Sequence, residues 1–161
     1  MRPIARLDIE LRASGTLSLA IGAAGLFGAL GRGSDPARAV LAFLVAAAIL
    51  AAISTVGTRF LRSSERLPPA AQGVLVEPPS QTMRRTVVAM TLPMVAVLAL
   101  IVLSGGVAAV IGGVVAGIGL VDLANLTALR RRQAAGREVI YRELGGSPFA
   151  GGRRPLYTRP T

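Results

Sequence analysis

Residues 84–132, RRTVVAMTLPMVAVLALIVLSGGVAAVIGGVVAGIGLVDLANLTALRRR, decide the fold. Arg84 and Arg85 open an uncharged run that reaches Leu103. Ser104-Gly105-Gly106 then packs turn formers together, and a second apolar run goes from Val107 to about Leu129, where Arg130, Arg131 and Arg132 stop it. A helix of roughly 20 apolar residues crosses the ~30 Å hydrocarbon core of a bilayer. Two such runs joined by a minimal turn form an antiparallel transmembrane hairpin, and arginines at both outer ends put those ends on one side of the membrane.

The upstream half repeats the plan. Ala13 to Leu30 carries no charge, Gly31-Arg-Gly-Ser-Asp-Pro36 is a turn in which Ser34 or Asp35 caps the next helix, and a second span runs from about Ala37 to Gly57 before Arg59 and Arg62. Sixteen of the eighteen cations, all arginine, fall in 1–12, 59–85 and 130–161, and only Arg32 and Arg38 lie outside. Cytoplasmic segments accumulate Lys and Arg beside their spans, so these three segments belong on the cytoplasmic side. The expected fold is therefore an all-α integral membrane protein with four spans in two antiparallel hairpins, and both termini cytoplasmic. Its divisions are an interfacial segment at 1–12, hairpins at 13–62 and 84–129, a proline-rich cytoplasmic linker at 63–83 and a basic helix and tail at 130–161.

Hydropathy agrees, since 52% of the chain is apolar and its mean hydropathy is +0.60. A pI near 11.8 and a net charge of +10 invite a nucleic-acid reading. The three arginine segments contain all of that net charge, however, and topology together with anionic lipid accounts for it. No nucleic-acid partner is expected. Cysteine and histidine are absent, which removes disulfides, thiolate nucleophiles, imidazole bases and most transition-metal sites. Eighteen arginines without one lysine match the codon bias of a GC-rich bacterial genome, and a bacterial inner membrane is the expected location. Asp8 and Glu10 in the N-terminal segment argue against a cleaved leader.

Locally, Ile4, Leu7 and Leu11 at helical spacing suit a short amphipathic helix in the headgroup layer. Pro68-Pro69 and Pro78-Pro79 make the linker a semi-stiff spacer. Residues 133–144 continue as a helix presenting Val139, Ile140 and Leu144, and the remainder is a flexible tail containing Arg153 and Arg154.

Gly105, Ala109, Gly113 and Gly117 recur every four residues, and Ser14, Ser18 and Gly22 make a similar line in the first span; both are stripes for close helix packing, internal or between copies. Pro93 predicts a kink in the third span. Asp122, with Asn125 one turn on, is the ionisable group within an otherwise apolar span, and either anchors a polar intramembrane site or reaches interfacial water and an arginine such as Arg59, Arg62 or Arg130. No catalytic constellation, cofactor motif or metal set emerges, and no family motif can be quoted. The expected role is an accessory or structural subunit of a larger membrane complex, contacting partner proteins and anionic lipid through Arg130, Arg131, Arg132, Arg153 and Arg154, with a small transporter built on Asp122 and Asn125 as the alternative. Reporter fusions at residues 33, 72 and 161 should read outside, inside and inside, and an outside C-terminus would overturn the four-span topology.

Overall fold

The computed structural model describes residues 3–57, 67–70, 73–136, 138–144 and 156–160. Four helices dominate it, α1 Leu7–Gly31, α2 Pro36–Gly57, α3 Pro79–Leu103 and α4 Gly105–Gly136, and all four are long and apolar enough to cross a membrane. The protein is a multi-pass helical membrane protein. Three short strands accompany the helices, β1 Ile4–Arg6, β2 Glu138–Glu143 and β3 Leu156–Pro160.

The helices that pack most closely are not neighbours in sequence. Half of α4's most apolar stretch and 44% of α1's is buried inside the bundle, against 11% for α2 and for α3. The central pair is thus α1 with α4, while α2 lies mainly against α4 and α3 mainly against α1. Glycine makes this possible, because backbones without a Cβ approach to van der Waals contact. A Cβ on Gly22 would sit 2.6 Å from the Gly112 carbonyl oxygen, and one on Gly112 would sit 2.7 Å from that of Gly22. Gly119 meets the Gly15 carbonyl and Gly25 meets that of Ala108 in the same way. The predicted stripe divides between two neighbours, since Gly113 and Gly117 lie instead on the Phe43 and Ala47 carbonyls of α2. Ala109 joins Ala29 and Ala39 in a buried alanine cluster, and Gly105 rests against Ala29 and Ser34.

At the turn end, Gly33 at φ +77° reverses the chain after α1, and Asp35 Oδ1 accepts the Ala37 and Arg38 amides, capping α2 with Pro36 at its first position. Arg32 donates to the Val102 carbonyl near the C-terminus of α3, and Arg38 lies 3.7 Å from Asp35. The two arginines that break the charge pattern are therefore engaged at helix ends. Between α3 and α4, Ser104 alone is the connection, one residue where three were expected.

At the opposite end the structure departs from expectation. The N-terminal segment is no separate interfacial helix; Ile4–Arg6 is extended and Leu7 already begins α1. Glu138–Glu143, expected as helix, is the central strand of an antiparallel sheet in the order β1-β2-β3, and part of the tail forms β3. Val139 and Ile140 are β-branched and Tyr141 is aromatic, so the segment suits a pleated, half-buried surface better than a solvated helix. Linker residues cover both sheet edges. The Ile4 amide donates to the Leu75 carbonyl and the Glu77 amide to that of Ile4, while Ala70 and Thr158 exchange bonds with Thr158 and Pro68 carbonyls on the far side. Residues 58–66, with Arg59 and Arg62, lie outside the described residues, as do Arg153 and Arg154.

Ile140 and Leu156 point from this sheet onto Leu7, Leu11, Leu126 and Leu129. Facing pairs fix the level of each helix: Ser14 meets Asp122, Gly15 meets Gly119, and Ser18 and Gly28 of α1 meet Met90 and Ile101 of α3. Carried along the helices, this register sets Arg12 level with Arg84 and with the Asp122–Ala124 turn. Leu129 and Arg130 then lie about 10 Å beyond, at 1.5 Å per residue. The last apolar turn of α4, which reads in sequence as membrane span, is the floor of the sheet cap.

Gly22→Val should lower the thermal stability of the detergent-solubilised protein by about 1–3 kcal/mol through overpacking. Gly31→Ala, where a Cβ meets open space, should leave the melting temperature unchanged within error, and equal effects from both substitutions would overturn the seam.

Candidate functional site

Polar side chains within the bundle gather at the sheet end. Ser14 and Ser18 of α1, Thr82 and Thr86 of α3 and Asn125 of α4 are all buried. Each serine and threonine pair is spaced by four, which keeps both members on one helical face. Thr86 Oγ1 bonds back to the Thr82 carbonyl at 2.9 Å, the usual solution for a hydroxyl on an apolar helix, and the Ser18 hydroxyl lies 3.8 Å from Met90 Sδ.

Asp122 receives the Ser14 hydroxyl at 2.5 Å. This hydrogen bond joins α1 to α4; of the arginines expected from sequence as partners, Arg59 and Arg62 lie outside the described residues, and Arg130 is exposed and level with the sheet floor. A carboxylate accepting a hydroxyl proton gains one charge-assisted bond and keeps acceptor capacity for more. Glu10, one turn before Ser14, lies 3.2 Å from Arg142 of β2, and Glu10 and Arg142 both act electrostatically on Asp122. The strand register explains Arg142, because Ala5, Ile140 and Arg142 share the sheet face that covers the helix ends.

Beside this group, Glu77 is buried at the start of α3. Thr82 Oγ1 donates to its Oε2 at 2.7 Å and Arg85 lies 3.4 Å away. Its backbone joins β1, so the same residue fixes α3 to the sheet. On the outer sheet face, Tyr141 and Tyr157 are directly paired, Arg159 stacks 5.9 Å from the Tyr141 ring, and Tyr157 donates to Glu143 at 3.1 Å. That bond to a carboxylate, which favours the neutral phenol, raises the Tyr157 pKa above its ordinary value. The Asp8 carboxylate beside Arg6 likewise raises the Arg6 guanidinium.

Other residues singled out in the sequence stand apart from this group. Pro93 lies within α3, which continues through it. Arg130 and Arg131 are exposed, and Arg132 is partly buried. Sequence reading missed Glu10, Glu77, Thr82, Thr86 and Arg142. The spacing of Thr82 and Thr86, which repeats that of Ser14 and Ser18, was the available signal for two of them. Among the described residues no set of three or more His, Cys, Asp or Glu converges as a metal centre.

No protein-family model, curated protein or solved structure matches the chain.

Chemically, the layer holds three carboxylates, two guanidiniums, hydroxyls and an amide, without an imidazole or thiol to act as base or nucleophile. Its suited tasks are ion or proton binding and the tying together of helices. Ser14→Ala, which removes the donor and leaves Asp122 with unmet acceptor capacity, should cost about 1–3 kcal/mol of stability, read as a lower melting temperature in detergent. Pairing it with Asp122→Asn in a double-mutant cycle should return a coupling well above error.

Proposed function

We propose that the protein is an accessory or structural subunit of a larger membrane complex, seated in a bacterial inner membrane with both termini and the sheet cap in the cytoplasm. The exposed apolar faces of the flanking helices carry this reading. Leu41, Leu44, Val45, Ile49 and Ile53 line α2, and Val88, Leu92, Val95, Leu98 and Val102 line α3, leaving two broad surfaces on opposite flanks of the bundle. Lipid covers such faces in an isolated molecule, and a partner's helices can replace lipid wherever packing is better.

Charge supports the lipid-facing part of the reading. Asp8, Glu10 and Glu77 are drawn into pairs with Arg6, Arg142 and Arg85. Arg12, Arg84, Arg130 and Arg131 are exposed at the sheet end, and no ion pair to an acid joins them among the described residues. Anionic headgroups of the cytoplasmic leaflet are their natural counterions, at about 1 kcal/mol per arginine near the surface.

A second reading, a small transporter using Asp122 and Asn125, draws on the polar layer. Against it stand the buried polar groups of the bundle, which among the described residues stop at Ser18, and the backbone contacts of Gly22, Gly25 and Gly112 beyond them. Extraction in mild detergent after in-membrane crosslinking should recover a defined membrane protein with this chain. A monodisperse monomer with nothing bound would defeat the subunit reading. In liposomes, wild type and Asp122→Asn should show the same background proton and solute flux, and flux lost in the variant alone would favour transport.

A further inference from the structure

The glycines of α4 that receive α1 and those that receive α2 lie on different faces. Gly112 and Gly119 meet α1 at Gly22 and Gly15, whereas Gly113 and Gly117 meet α2 at Phe43 and Ala47. At 3.6 residues per turn these faces are about 130° apart, so α1 and α2 form the walls of a groove whose floor is a strip of α4. Ala109, Ala116, Leu120, Thr127 and Arg131, spaced alternately by seven and four, run along that strip. The floor is closed at the turn end and open at the sheet end. Ala109 is buried with Ala29 and Ala39, Ala116 is 3% exposed, Leu120 is 50% exposed, and Thr127 and Arg131 are exposed in turn.

The walls are apolar along the open part and cationic at its end. On α2, Ile53 is 64% exposed and lies fourteen residues after Ala39, on the face that meets Ala29 of α1. On α1, Leu19 packs over Gly119, and Arg12 precedes it by seven residues on the same face, turned away from α3, which takes Ser18 and Gly28. Arg12 stands level with the Asp122–Ala124 turn and Arg131 about 12 Å beyond, with Thr127 between them. No ion pair to an acid joins Arg12, Arg130 or Arg131 among the described residues, because Asp8, Glu10 and Glu77 are drawn to other arginines. An apolar groove ending in uncompensated guanidiniums matches a lipid with an anionic phosphate headgroup, its acyl chain on Leu19, Leu120 and Ile53 and its phosphate between Arg12 and Arg131. A partner's apolar helix would leave these cations unmatched.

We infer that the groove between α1 and α2 binds one anionic phospholipid, of the phosphatidylglycerol type. The inference rests on the cytoplasmic, lipid-facing reading of the exposed arginines and adds a single site with its own residues. Arg84 provides the contrast, since it is exposed on α3 and its neighbour Arg85 is drawn to Glu77. The lipid joins α2, which lies mainly against α4, to α1, and stabilises the folded form by mass action.

The test uses the full chain in detergent with dioleoyl phosphatidylglycerol, dioleoyl phosphatidylcholine or inorganic phosphate, counting bound lipid by native mass spectrometry and following thermal unfolding. Wild type should retain one phosphatidylglycerol, preferred over phosphatidylcholine by about tenfold or more, and should melt about 3 °C or more higher in that lipid alone. Arg12→Gln, Arg131→Gln and Leu120→Trp, which fills the floor, should each lose the bound lipid and the rise, while Arg84→Gln keeps both. Should Leu120→Trp fold poorly, the two variants of exposed, unpaired arginines still decide the matter. Equal retention of both lipids, a rise produced by phosphate alone, or the same loss in Arg84→Gln would each overturn the site. The last result would leave a diffuse attraction to the leaflet standing, so the site and the reading beneath it fail separately.

Discussion

Backbone contact between α1 and α4 is the constraint on which the rest depends. With Gly22 on Gly112, Gly15 on Gly119 and Gly25 on Ala108, the two helices pack at a separation that leaves no room for a Cβ at these glycines. Lipid tails are as apolar as leucine side chains, so membrane helices gain little from hydrophobic burial and depend on such close packing and on hydrogen bonds. The seam sets a single register, and that register brings Ser14 to Asp122 and the start of α1 to the final turns of α4.

From that register the sheet follows. Because α1 begins and α4 ends at one level, β1 and β2 leave their helices side by side and pair, and β3 adds to the free edge of β2. Linker residues then occupy the outer edges of β1 and β3, which would otherwise present unpaired amides and carbonyls. Three distant parts of the chain therefore meet in one cap, and Ile140 and Leu156 seal its underside against Leu7, Leu11, Leu126 and Leu129.

The polar layer lies where these two constructions join. Below it the bundle is held by glycine and alanine, and above it by a leucine core of the soluble type. A carboxylate at this boundary is costly without partners and useful with them. Asp122 has Ser14, Glu10 has Arg142 and Glu77 has Thr82 with Arg85, so each acid ties together segments remote in sequence. Keeping those acids inward also leaves exposed arginines as the charge that this end presents to its surroundings.

Arginine placement and unbroken apolar runs in the sequence determined that four helices exist, roughly where they lie and which residues turn the chain, because those signals are local and follow from hydrocarbon thickness alone. Asp122 and the small-residue stripes were legible for the same reason, as one charge and one periodicity. Only the tertiary structure decided that α1 packs on α4 rather than on α2, that the glycine stripe of α4 serves two neighbours, and that 138–143 is a strand. A glycine stripe states that a helix can be approached closely but does not name the helix that approaches, and a segment such as 138–143 takes its conformation from the edge offered to it. The partners of Asp122 were hidden for that reason too, since Ser14 and Glu10 come to it only once the seam has fixed the register.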